Sequence, residues 1–257
     1  MIQAPPDPMA DSALDPATFP IPAAGALVAK RRAEWRPGAA LADVPHGEIF
    51  AAGSEAAGAA LALAFALDHM RARRSDPVAD VPDERMWLWV QDREALRRTG
   101  RPYRPGLPQG LRHRLIHVAA KSPEDALFAL EEGLRCRDLA FVIGEIAGNP
   151  RALDFTVSRR LTLAAERHGV PLWLVRIDAA RDLSSARMRW QAASAPSIRP
   201  RWNPQAPGTP AWRAELFRAR RHPPGEWVLR DEGALAVRPN ADGADESGVI
   251  RAERALA

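Results

Sequence analysis

HGEIFAAGSEAAGAALALAFAL, residues 46–67, is the stretch whose reading decides the fold. A short apolar run, GEIFAA, reads as a strand. It leads through a loop bounded by Gly53 and Gly58 into a long apolar run that reads as a helix ending near Arg74. A strand, a glycine loop and a helix in that order form the phosphate cradle of an ATPase, with the pattern G-x-x-x-x-G-K-[ST]. Here the loop reads Gly53, Ser54, Glu55, Ala56, Ala57, Gly58, Ala59, Ala60. Ala59 stands where a lysine would neutralise the β- and γ-phosphates, and Ala60 where a hydroxyl would hold Mg²⁺. Free backbone amides at a helix start still attract anions. Phosphoryl transfer, however, depends on positioning and charge stabilisation, so losing the cation and the metal anchor together removes several powers of ten in rate. Lys30 and Lys121 are the only lysines in the chain, and neither is near the loop in sequence. The expectation is a vestigial phosphate loop with no bound cofactor and no catalysis. Glycines alone would suit any tight strand-to-helix turn.

Outward from this stretch, apolar runs alternate with amphipathic segments as far as Arg176, the pattern of parallel strands joined by helical crossovers. Strands are predicted at Met86–Val90, Leu115–Val118, Leu139–Glu145 and Pro171–Arg176. LAFVIGE, residues 139–145, is apolar almost throughout, which fits burial on both sheet faces and a central position. Ser122-Pro123-Glu124-Asp125 is a helix start, with a Ser cap, Pro at the first helical position and acids at the positive end of the dipole. A further helix spans Phe155–His168 and stops at Gly169, which tolerates the left-handed helix-end conformation. Beyond Arg176 the pattern changes to antiparallel strands at 187–193, 212–220, 226–230 and 234–237. The fold class is therefore α/β, a mostly parallel sheet flanked by helices with antiparallel strands added C-terminally. Eight prolines between Pro5 and Pro45 mark residues 1–45 as an arm with room for one short helix, Ala24–Trp35. Residues 46–238 form the core, and 239–257 read as a polar tail.

Composition bounds the function. A 46% hydrophobic content with eight Trp excludes wholesale disorder. A single cysteine, Cys136, cannot form an internal disulfide, and the N-terminus lacks a secretory pattern, so a cytoplasmic location is expected. No run approaches the roughly 18 apolar residues of a membrane-spanning helix. The formal charge is +4 and almost all the cations are arginine, a balance that genome-wide Ala, Arg and Pro enrichment also produces. His113 and His117 lie four apart, but LRHRLIHV reads as a loop entering a strand and offers no third ligand, so no metal is expected. In the C-terminal third, Arg189, Trp190, Arg199, Arg201, Trp202, Arg220 and Arg221 interleave guanidinium and aromatic groups. That pairing suits weak single-stranded DNA binding or a protein contact. Trp packing of a small sheet with Arg along its edge is the third reading.

Residues 46–67 resemble the first strand, loop and helix of RecA with the ATP residues replaced. Four segments are similar to the ImuA (inducible mutagenesis protein A) family: WLWVQDREALRRTGRPYRPGL, PEDALFALEEGLRCRDLAFVIGEIAG, LDFTVSRRLTLAAERHGVPLWLVR and RWQAASAPS, together covering roughly residues 45–195. The resemblance implies a RecA-like fold and a non-catalytic accessory of SOS-controlled translesion DNA synthesis. Its implied partners are an inactive Y-family polymerase homologue, RecA and an error-prone DNA polymerase. SulA-like inhibition of cell division is the alternative it leaves, and a nucleotide-dependent DNA-binding ATPase is another. By the same resemblance the metal-side carboxylate of RecA maps onto Glu145, or is lost at Gly144 if the register slips by one. The catalytic carboxylate falls at or near Asp92, Arg93 or Glu94. The plainer reading of Glu145 and Asp92 is a solvated carboxylate at a strand end.

Overall fold

The computed structural model describes residues 45–74, 83–203, 205–220, 222–231 and 235–239. All belong to the second of two units into which the chain divides, residues 36–257. The expected arm helix Ala24–Trp35, the tail beyond Pro239 and Arg221 lie outside the described residues.

Among the described residues, nine strands form one sheet. In chain order they are β1 (His46–Ala51), β2 (Met86–Gln91), β3 (Leu115–Ala119), β4 (Leu139–Ala147), β5 (Leu172–Ile177), β6 (Met188–Ser194), β7 (Ala211–Ala219), β8 (Gly225–Asp231) and β9 (Leu235–Pro239). The spatial order is β3-β2-β4-β5-β1-β6-β7-β8-β9. The α/β reading holds, with one correction. β6 was expected to begin the antiparallel part, yet it pairs parallel with β1, Glu48 opposite Arg189, and antiparallel only with β7. Pairing with β1 satisfies the second edge of that strand, which would otherwise be an open edge inside a fully buried layer.

Helices cover both faces. α1 (Ala57–Arg74) lies on one side, and α4 (Pro123–Arg135) and α5 (Phe155–His168) on the other. The caps are those the sequence announces. Ser122 accepts from the Asp125 amide at 3.1 Å, and Gly169 closes α5 at φ 70°. Asp154, a cap the sequence reading passed over, accepts from the Val157 amide at 2.8 Å. α2 (Arg93–Thr99) and the four-residue α3 (Gln109–Arg112) were also not predicted, because REALRRT is too short and too polar to show an apolar stripe. A 3₁₀ turn, Arg104–Gly106, joins them.

Under α1, Phe65 sits between Trp173 and Trp190, with ring centroids 5.1 Å from each. Each such pair contributes about 0.5–1.5 kcal/mol beyond area burial. Gly58 lets the helix approach this closely: a Cβ there would lie 2.7 Å from the Ala51 Cβ and 2.9 Å from the Val175 Cγ1. On the opposite face Leu130, Leu134, Leu161 and Ala165 pack on Val142, Leu172 and Leu174. Gly144 belongs to that face, since a side chain there would meet Leu130 at 2.9 Å. Its neighbour Glu145 consequently points to the α1 face, at the C-terminal end of β4. Among the described residues, no helix is long and apolar enough to cross a membrane.

Candidate functional site: a cavity at the loop after the first strand

The C-terminal ends of parallel strands, beside the loops that follow them, are where open α/β sheets bind ligands. Here the loop after β1 and the start of α1 face the segment from α2 through the 3₁₀ turn across a cavity of about 560 Å³. Ala59 and Ala60 line it, with Arg98, Arg101 and Tyr103 on the opposing segment and Trp89, Gln91 and Glu145 among the inner residues. The two methyl groups therefore stand at the cavity wall. Lys121 lies elsewhere, in the turn before α4.

Two of the loop's backbone donors are engaged, the Glu55 amide by the Ala52 carbonyl at 3.2 Å and the Gly53 amide by a side chain. The Gly53 amide donates to Asp178 Oδ1 at 2.9 Å. Asp178 follows β5 and holds a positive φ of 48°, the one non-glycine positive φ among the described residues, a conformation that carries a steric cost. Its other oxygen receives Arg98, which also donates to Glu94 at 2.8 Å. The Gly53 hydrogen bond, followed by Arg98, holds the Asp178 carboxyl below its ordinary range. Within the loop, Glu55 accepts from the Ser194 amide at 2.6 Å, and hydrogen bonds from Ser194 lower its carboxyl in the same way. Two anionic carboxylates thus stand at the loop, one already holding an amide that a phosphate would use.

Glu145 and Asp92 are not solvated strand-end carboxylates; both are 1% exposed, which corrects the plainer reading of the sequence. β5 separates β4 from β1 in the sheet, so Glu145 reaches the cavity one strand away from the loop. It accepts from Trp89 Nε1 at 2.7 Å, Thr99 Oγ1 at 2.9 Å and Gln91 Nε2 at 3.2 Å. Burial raises its pKa; these hydrogen bonds pull it back and the nearby Asp92 charge adds to the rise. Both oxygens are committed to protein donors, so Glu145 acts as a hub joining β2, β4 and α2. Asp92 caps α2, accepting from the Ala95 amide at 2.6 Å, and reaches the Ala147 amide at 3.3 Å. Burial raises its carboxyl too, against those backbone bonds.

The histidine pair dissolves. His113 ends α3, whereas His117 lies on β3 with its Nε2 2.8 Å from Gln91 Oε1. Burial, with Arg101 and Arg104 nearby, lowers its pKa. Cys136 is exposed at the end of α4. Among the described residues, no group of three or more His, Cys, Asp or Glu gathers as a metal site would require.

The arginine and tryptophan candidates of the C-terminal third separate into three places. Arg189 and Trp190 are interior, which corrects their reading as contact residues. Trp190 is 0% exposed, against Phe65 and near Trp227, and Arg189 donates to the buried Glu48 at 2.7 Å. They alternate along β6, and both faces of that strand are covered. Arg199, Arg201 and Trp202 share the loop between β6 and β7, where Trp202 is 83% exposed beside a shallow cavity of about 630 Å³. Arg220 follows the far end of β7, nine residues away, or roughly 30 Å at a strand's rise. One short contact segment cannot span both.

The sequence reading missed Asp178, Arg98, Thr99 and Gln91, which complete the site. Their only sequence signal is position, each falling at or soon after a strand end where α/β folds place functional groups.

Fold and site together define an α/β protein with a mixed sheet, in which the loop after β1 carries Ala59 and Ala60 at its end and is held by Asp178. No family model matches the chain. It is 35% identical over 131 residues to Protein ImuA of Caulobacter vibrioides, from strain NA1000 / CB15N and equally from strain ATCC 19089 / CIP 103742 / CB 15. The match covers 47% of this chain and 52% of each relative. Over that stretch the chain is similar to ImuA. It matches about half the length of those curated relatives.

Proposed function

We propose that this protein serves damage-inducible mutagenesis as a non-catalytic RecA-like adaptor of translesion DNA synthesis, engaging an inactive Y-family polymerase homologue and RecA. The observation that carries the reading is the cradle itself. Ala59 and Ala60 replace the phosphate-handling side chains, and Asp178 holds the Gly53 amide. A protein that keeps a nucleotide fold without nucleotide chemistry works through its surfaces, where Arg and Trp are favoured anchors. The similarity to ImuA supports the pathway, and the exposed Arg199, Arg201 and Trp202 supply candidate contacts.

Two measurements test this. With ATP and Mg²⁺, turnover should stay at background in the wild type and in an Ala59→Lys, Ala60→Thr double variant, because Asp178 still closes the loop; wild-type turnover above background refutes the non-catalytic part. In pull-downs the purified chain should retain the Y-family homologue and RecA. Retention of neither, or of the tubulin-like division protein instead, refutes the adaptor part.

A further inference from the structure

A second cavity, of about 510 Å³, opens on the α5 face of the sheet, away from the cradle. One wall is a stripe of α5: Phe155, Arg159 and Leu163, spaced four apart so that they share one helix face. The other wall carries Arg187, Arg218 and Arg220 at the ends of β6 and β7. The hydroxyls between the walls are internally bonded. Ser184 donates to Glu48 at 2.7 Å, and Ser185 lies 2.6 Å from Thr162. This floor is a fixed part of the fold.

The charges on the walls are not balanced in the same way. Arg187 pairs with Glu166, but Arg159, Arg218 and Arg220 make no side-chain hydrogen bond or ion pair among the described residues. Phe155 and Leu163 stand 47% and 50% exposed beside them. A single exposed apolar residue is ordinary. Three cations without a partner among the described residues, around one groove with two half-exposed apolar side chains between them, create a positive potential and an apolar footing to which a surface of opposite charge is complementary.

We propose that this groove receives an acidic peptide segment of a partner protein bearing at least one large apolar side chain. Charge complementarity argues for the acid, and Phe155 with Leu163 for the apolar anchor. A nucleic-acid strand is disfavoured. Such strands stack successive bases on several aromatics along a continuous basic track, whereas among the described residues Phe155 is the one aromatic lining this groove, and the Glu166 carboxylate stands beside Arg187. The proposal goes beyond the adaptor reading and holds whether or not that reading does.

The test uses the full chain and a short fluorescent peptide alternating glutamate and leucine, read by anisotropy at low salt. Binding with a Kd on the order of 10 μM is expected, the range of a small peptide contact. Arg218→Glu with Arg220→Glu should weaken it at least about tenfold, as should replacing the peptide's glutamates by glutamine. Phe155→Ser should weaken it less. Arg218→Ala with Arg220→Ala serves as a second variant should charge reversal disturb folding, which circular dichroism reports. No binding, equal binding by the glutamine peptide, or no effect of either arginine pair overturns the proposal. Tighter binding of oligothymidylate at the same arginines overturns it in favour of nucleic acid.

Discussion

The cradle and the α5 groove are both cavities of roughly half a cubic nanometre edged by arginines, yet they handle charge in opposite ways. In the cradle almost every charge is answered from within. Arg98 meets Glu94 and Asp178, Asp178 meets the Gly53 amide, Glu55 meets the Ser194 amide, and Glu145 meets three donors. In the groove, among the described residues, Arg187 is answered and the guanidiniums of Arg159, Arg218 and Arg220 are not. The carboxylates of the cradle thus have donors within the protein, while Arg159, Arg218 and Arg220 of the groove face solvent. Internal satisfaction fixes structure; unsatisfied charge on a shaped surface invites binding.

Variants that strike the two regions should separate them by magnitude. Glu145→Ala leaves buried donors, above all Trp89 Nε1, without an acceptor, so we expect a loss of about 3 kcal/mol in urea unfolding. A loss below about 1 kcal/mol would mean that the hub is ornamental and the comparison wrong.

Acid should weaken the groove's floor in a predictable window. His46, fully buried and 2.8 Å from Thr162, has a pKa lowered from 6.5 to about 4, chiefly by burial. Because the unfolded chain binds the proton first, this stabilisation is complete above pH 6.5 and is lost as pH falls from 6.5 towards 4. At about 1.4 kcal/mol per unit that is about 3 kcal/mol over the window. His46→Gln should flatten that part of a stability-against-pH curve; an unchanged slope would assign it to other groups.

Opening the clasp should matter less to stability than to local order. Asp178 is solvent-exposed, so Asp178→Ala should cost below about 1 kcal/mol, while hydrogen exchange at the Gly53 amide speeds up. Unaltered exchange there would show that the clasp does not hold the loop. The smallest effect belongs to the groove: Arg218→Ala and Arg220→Ala should each leave stability within about 0.5 kcal/mol, since neither side chain has a partner among the described residues to lose. A larger loss would expose pairing that the comparison denies.

Much of the fold was legible in residues 46–67 and in the alternation that follows, because strand and helix periods, caps such as Ser122 and the stop at Gly169 are local properties of the chain. The missing lysine and hydroxyl at Ala59 and Ala60 were equally legible, since an absent functional group needs no coordinates to be noticed. What the chain order could not reveal was how distant segments meet. The parallel pairing of β6 with β1 joins residues about 140 apart. That pairing buries Arg189 and Trp190 and removes them from any contact surface. The burial of Glu145, the reach of Asp178 to Gly53 across 125 residues and the gathering of Arg159 with Arg218 and Arg220 have the same origin. Local sequence sets backbone preference and pattern, but burial and electrostatic pairing depend on neighbours in space, and those the sheet order alone decides.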